Sequence, residues 1–129
     1  MVRSNLVLYH QNCTDGYMAA TIASMALGEE DTEFKDVQYN QTLPPVDFFV
    51  GRNVYVVDFS FKRSFCEEIA KVAKKLVILD HHVTARDEIG DLPYAIFDMT
   101  KSGALLTWEH FFPDEQVPKA VKYLSLIHI

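Results

Sequence analysis

The apolar run Leu76-Val77-Ile78-Leu79 passes without a break into Asp80-His81-His82, and this stretch constrains the fold most. A run of apolar, partly β-branched residues without polar alternation reads as a strand covered on both faces, as in a parallel sheet flanked by helices. Two further runs close in the same way. Asn53-Val54-Tyr55-Val56-Val57 ends in Asp58-Phe59-Ser60, and Leu6-Val7-Leu8-Tyr9 enters the polar loop His10-Gln11-Asn12-Cys13-Thr14-Asp15-Gly16.

Helical spacing fills the stretches between and beyond these runs. Met18, Ala19, Ile22, Ala23 and Ala26 share a face before Gly28, a helix stop. Phe65, Ile69, Val72 and Ala73 share another, with Ser64 as a possible cap and charged residues opposite. A short helix over Ala85 to Ile89, one opened by Ser102-Gly103-Ala104, and a last one with Pro118 in its first turn complete the set. Val37-Gln38-Tyr39-Asn40 alternates as an edge strand does, Tyr94-Ala95-Ile96-Phe97 reads as a fifth strand, and Glu29 to Glu33 reads as a solvated connection. Leu43-Pro44-Pro45 breaks regular structure, and Val46 to Val50 carries packing bulk. The expected fold is α/β: a three-layer, doubly wound, mainly parallel five-stranded sheet, order 2-1-3-4-5, with right-handed crossovers.

In such folds ligands bind beyond the carboxyl ends of the strands. Asp15, Asp58 and Asp80 would converge there, and carboxylates crowded together repel unless a cation is present. His10, Cys13, His81 and His82 add imidazole and thiolate donors of the kind divalent metals use. Two ions about 3.5–4 Å apart would clamp the attacking and leaving oxygens of a phosphoryl displacement, with a metal-activated water as nucleophile. Taken alone, the first loop is equally a helix start with Asp15 as N-cap, and the alternative for Cys13 is a packed thiol. Cys66 reads as a small buried hydrophobe.

Composition limits the setting. With 129 residues, 49% of them hydrophobic, the chain suits one domain. A net charge of −6 excludes a broadly basic nucleic-acid surface, though not a metal-filled phosphate site. Two unpatterned cysteines favour a reducing, cytoplasmic compartment. No segment has the roughly 18 consecutive apolar residues of a membrane span, and the start carries no signal-peptide core.

His10-x-x-Cys13-x-Asp15-Gly16, Asp58, Asp80-His81-His82 and Ser102-Gly103-Ala104, in that order, resemble the motifs of the DHH phosphoesterase superfamily over Leu6 to Tyr123. That group includes single-strand exonucleases, nanoRNA and cyclic-dinucleotide phosphodiesterases, and manganese-dependent pyrophosphatases. The resemblance implies two divalent cations, Mn²⁺ foremost. His10 and Cys13 would hold one, Asp15 and His81 the other, and Asp58 would bridge them. It implies further that Asp80 orients the site, that His82 faces the substrate phosphate, and that Ser102-Gly103 presents N–H groups to an anion. The substrate would be a short single-stranded oligonucleotide or a phosphorylated small molecule. The alternative is a non-catalytic phosphate- or nucleotide-binding module of the same fold.

Two departures from the family pattern stand out. Many members have Asp where Cys13 stands, as a smaller phage-like subgroup does not, and a thiolate shifts preference toward Fe²⁺, Co²⁺ or Zn²⁺. The family's further metal-binding Asp and its C-terminal substrate-binding domain have no counterpart here. Residues 1–123 therefore read as an incomplete catalytic domain expected to show little turnover alone. Residues 124–129, an apolar end without a stop signal, read as a non-native tail.

Overall fold

Five parallel strands in the order β2-β1-β3-β4-β5 form the central sheet of the computed structural model, which describes residues 3–11, 13–39 and 42–128. The strands are β1 (Asn5–His10), β2 (Thr32–Val37), β3 (Asn53–Val57), β4 (Lys75–Asp80) and β5 (Ala95–Phe97). The helices are α1 (Thr14–Leu27), α2 (Arg63–Val72), α3 (Val83–Ile89), α4 (Gly103–Phe111) and α5 (Lys119–His128), with a 3-10 turn at Val46–Phe49. The expected α/β sheet and its strand order are what the chain forms. Among the described residues no helix is long and apolar enough to cross a membrane.

Period-two side-chain alternation explains why the three central runs are apolar throughout. Leu6, Leu8, Val54, Val56, Leu76 and Ile78 face one layer, packing with Phe49, Phe65, Cys66 and Ile69. Val7, Tyr55, Val57, Val77 and Leu79 face the other, against Ala19, Ala23 and Leu106 of α1 and α4. Cys66 is fully buried, as expected, and burial pushes its thiol up to about 12. Ile22, Ala104, Trp108, Val121 and Leu124 form a third cluster that fastens α5 to α1 and α4.

Several local expectations are corrected. Strand β2 is Thr32–Val37, beginning inside the stretch read as a connection and ending where the expected strand begins, whereas Gln38 and Tyr39 lie past its end and Asn40 lies outside the described residues. Its mixed polarity follows from its edge position, where only Thr32 and Val37 are buried and β1 supplies the parallel partner for all six residues. Ser64 does not cap α2; Lys62 occupies that position without a side-chain cap. Pro118 precedes α5, its carbonyl accepting from the N–H groups of Val121 and Lys122. Asp15 lies inside α1, whose N-cap position is Cys13.

Candidate metal centre

Strand ends β1, β3 and β4 deliver His10, Asp58 and Asp80-His81-His82 to one rim of the sheet. Helix α1 brings Cys13 and Asp15 to the same place. The close approach of α1 to β1 depends on Gly16, where a Cβ would collide with the His10 carbonyl oxygen. Asp58 leaves β3 with φ of 56°, a left-handed conformation that a non-glycine residue seldom takes and that Asp tolerates better than most. Its N–H still donates to Leu79 O, so the sheet ladder survives while the chain turns out of the sheet. Such outliers gather at functional sites.

The donor atoms form two groups that share Asp58, each with its atoms within 4.8 Å of one another: His10, Cys13 and Asp58, and Asp58, Asp80, His81 and His82. In the first, the Cys13 thiol donates to Asp58 Oδ2 at 3.5 Å, and His10 Nδ1 lies 3.9 Å from that oxygen. His10 Nδ1 is buried without a hydrogen-bond partner, the one such side-chain atom among the described residues. A buried polar nitrogen left unmatched is costly and calls for an explanation, such as an ion. Burial pushes the Cys13 thiol up, with the Asp58 charge adding and the Gly16 N–H opposing. A nearby cation would reverse that balance.

In the second group, Asp80 acts as a buried fixture. It accepts from Ser60 Oγ at 2.7 Å and from the His81 N–H at 2.8 Å, and it holds His82 Nδ1 at 2.6 Å. The bond from Asp80 raises the His82 pKa above its ordinary value, against the effect of burial. With Nδ1 engaged, Nε2 is the ring nitrogen of His82 left for a ligand. His81 Nε2 sits between Asp15 Oδ2 at 3.3 Å and Asp58 Oδ1 at 2.8 Å. Hydrogen bonds to Asp15 and then Asp58 lift its pKa to about 10. Burial pushes the Asp58 carboxyl up, and Asp15 and Asp80 add to that, while His81 pulls it back. Three carboxylates with two imidazoles between them form a set for which a divalent ion is the natural counter-charge.

Asp15 departs from expectation. Its two oxygens accept the N–H groups of Ala104 and Gly103, both at 2.8 Å, so it joins neither donor group. These bonds and the one from His81 outweigh burial and hold its carboxyl below the ordinary value. The anion at the start of α4 is thus the protein's own carboxylate. The expected phosphate contacts of Ser102 and Gly103 are corrected for the same reason. The Gly103 N–H serves Asp15, the Ser102 N–H donates to Ser125 Oγ at 3.2 Å, and Ser102 Oγ caps α4 by accepting from Leu105 N–H. Gly103 has a different part: a Cβ there would fall 2.7 Å from Asp58 Cβ and 2.8 Å from Oδ1.

Three residues at the rim were not singled out from the sequence. Ser60 anchors Asp80, and its position just past a strand end was its only signal. Ser125 lies in the stretch read as a tail and is buried against Ser102. Tyr39 stacks on Phe59 beside His10 and His82. Burial, with the charges of Asp80 and Asp58, pushes its phenol up.

No family model matches the chain. It is 36% identical over 136 residues to an uncharacterized protein of Acanthamoeba polyphaga mimivirus; the match takes in 94% of this chain but only 32% of that protein's length. Among solved structures it is similar to the crystal structure of an uncharacterized protein from Helicobacter pylori, with a TM-score of 0.69 and 13% identity over 95% of this chain and 40% of that one. At that identity the likeness is one of fold.

Proposed function

We propose that the chain carries the metal-binding centre of a divalent-metal-dependent phosphoesterase that acts on a nucleotide or short oligonucleotide. The observation that supports this most is the pair of donor groups sharing Asp58, with the unpartnered His10 Nδ1 in one of them. The order of the motifs, which resembles that of DHH phosphoesterases, points the same way. His10, Cys13 and Asp58 would hold one ion, and Asp58 with His81 the other, Asp15 joining if its carboxylate turns from α4. Divalent ions there, Mn²⁺ first and Fe²⁺, Co²⁺ or Zn²⁺ as the Cys13 thiolate favours, would lower the pKa of a bound water and neutralise phosphoryl oxygens.

The chain's own residues do the rest. Asp80 orients His81 through its N–H and His82 through Nδ1. His82 offers Nε2 as a donor to a phosphate oxygen. Ser60 keeps Asp80 in place.

Calorimetric titration with Mn²⁺, Co²⁺ and Zn²⁺ tests the proposal. Binding of two ions per chain, with Mn²⁺-dependent cleavage of a short oligonucleotide, is the expected result; no bound ion would overturn it. The second reading, a non-catalytic phosphate- or nucleotide-binding module, is favoured by the engagement of Asp15 with α4. It predicts nucleotide binding without metal.

A further inference from the structure

Two adjoining hollows, of about 300 and 220 Å³, open beside the candidate metal centre and share Tyr39, Ser60, Phe61 and Lys62. The larger extends along Phe59 and is of the size at which small-molecule sites begin. Tyr39 is the common wall. Its ring stacks on Phe59 at 4.5 Å between centroids and 27° between planes, and it meets His10 and His82 edge-on at 5.7 and 6.5 Å. These contacts fix the orientation of a tyrosine that is nonetheless 46% exposed. A half-exposed aromatic ring braced by a second ring beside the candidate metal centre can serve as a platform for a flat partner.

We infer that this cleft is a nucleobase subsite: the base of a nucleotide whose phosphate meets the metal centre lies against Tyr39, and Lys62 takes the neighbouring phosphate of a longer strand. The inference rests on the phosphoesterase reading and deepens it by naming the side chains that would meet the base and the neighbouring phosphate. A bare anion offers nothing to an aromatic wall and a sugar phosphate only its C–H groups, whereas every base has a π face to stack. Lys62 supplies the positive charge in the cleft, and Glu88 borders the far hollow with negative charge. A phosphate should therefore settle on the Lys62 side. Stacking of this kind tolerates any base, so the subsite selects nucleotides without selecting sequence.

The test uses the chain with Mn²⁺ present and three probes: adenosine 5′-monophosphate, ribose 5-phosphate and the 5′-phosphorylated dinucleotide pApA. Calorimetry should show adenosine 5′-monophosphate binding at least ten-fold tighter than ribose 5-phosphate. Tyr39→Ala should erase that margin while ribose 5-phosphate binding stays unchanged, and Tyr39→Phe should retain it. Lys62→Ala should weaken pApA several-fold and leave adenosine 5′-monophosphate unaffected. Equal binding of the two monophosphates by the wild-type chain overturns the subsite, as does an equal loss of both in Tyr39→Ala. Failure to bind Mn²⁺ would instead count against the phosphoesterase reading. In that case tighter binding of adenosine 5′-monophosphate that depends on Tyr39 would still uphold the cleft.

Discussion

Arg52, at the amino ends of the strands, is as deeply buried as Asp58 at the carboxyl ends: 3% and 1% exposed. Their surroundings differ. Arg52 donates through Nε to Arg3 O, through one terminal nitrogen to Phe48 O and through the other to Glu33 at 2.7 Å, with the Phe48 ring 5.1 Å beneath it. Every face of that guanidinium is served by the chain itself. At the other end, Asp58 meets a thiol, the imidazoles of His81 and His10 and two further carboxylates, and the buried Nδ1 of His10 goes without a hydrogen-bond partner. Both ends bury charge. Only one satisfies it internally, and crowding of unsatisfied titratable groups is the pattern expected where something else binds.

Paired substitutions test that contrast most severely. Asp58→Ala should abolish binding at both metal positions, because both donor groups pass through its carboxylate. Arg52→Ala should leave metal binding intact and cost about 1–3 kcal/mol of stability, since it takes the donor from two part-buried carbonyls and the Glu33 carboxylate. Mn²⁺ calorimetry and urea unfolding on both variants check the pair. Full metal binding by Asp58→Ala, or lost binding in a folded Arg52→Ala, would erase the distinction between the two ends.

A smaller effect is expected from Gly103→Ala. The added methyl must displace Asp58, whose Cβ and Oδ1 lie 2.7 and 2.8 Å from it. Overpacking of this kind costs about 1–3 kcal/mol. Because the Asp58 carboxylate is the group that moves, Mn²⁺ affinity should fall by about ten-fold or more, a loss of some 1.4 kcal/mol. An unchanged affinity measured by calorimetry would show that Asp58 tolerates the shift.

The two ends were unequally legible in the sequence. The carboxyl rim announced itself because apolar runs that end in Asp or His place chemistry at strand ends whatever the details. The alternation of strands and helices pointed to a parallel sheet, whereas the order of its strands, though as expected, does not follow from alternation alone. Arg52, by contrast, carries no local signal, since its partners Arg3, Glu33 and Phe48 are fixed only by tertiary contacts. Strand β2 was displaced for a related reason. Thr32-Glu33-Phe34-Lys35-Asp36-Val37 has too little apolar bulk to read as a strand until β1 pairs with it. The bond from the Gly103 N–H to Asp15 spans 88 residues, so no local pattern could reveal that Asp15 caps α4.

The His81 bonds make the contrast depend on pH. In the metal-free chain the folded pKa of His81, about 10, lies above its ordinary 6.5. The stability contributed by this imidazolium is therefore complete below pH 6.5 and is lost as pH rises through 10. Metal needs the neutral imidazole, so its affinity should rise across the same window as a proton is released. Melting temperatures from pH 6.5 to 10, with and without Mn²⁺, should diverge in favour of the metal-bound form. His81→Gln should flatten the metal-free curve. Parallel curves would mean that His81 takes no part in binding.

The smallest expected effect concerns Cys13 and decides what kind of ion the rim prefers. Its sulfur lies with His10 and Asp58 in one donor group, a nitrogen, sulfur and oxygen set that shifts preference from Mn²⁺ toward Zn²⁺ or Co²⁺. Without metal, burial and the Asp58 charge keep it a thiol. A bound cation would convert it to thiolate and shield it from alkylation. Cys13→Asp should therefore move the ratio of Mn²⁺ to Zn²⁺ affinity toward Mn²⁺ by a few-fold, while total metal content stays the same. Cys66 is the internal control: fully buried, its thiol pushed up to about 12, it should resist iodoacetamide with or without metal. Mass spectrometry after prolonged labelling at alkaline pH, where part of Cys13 is thiolate, should find it modified in the metal-free chain and protected by Zn²⁺. If Zn²⁺ gives no protection and Cys13→Asp leaves the metal preference unchanged, Cys13 is a packed thiol beside the site, and the donor group reduces to His10 and Asp58.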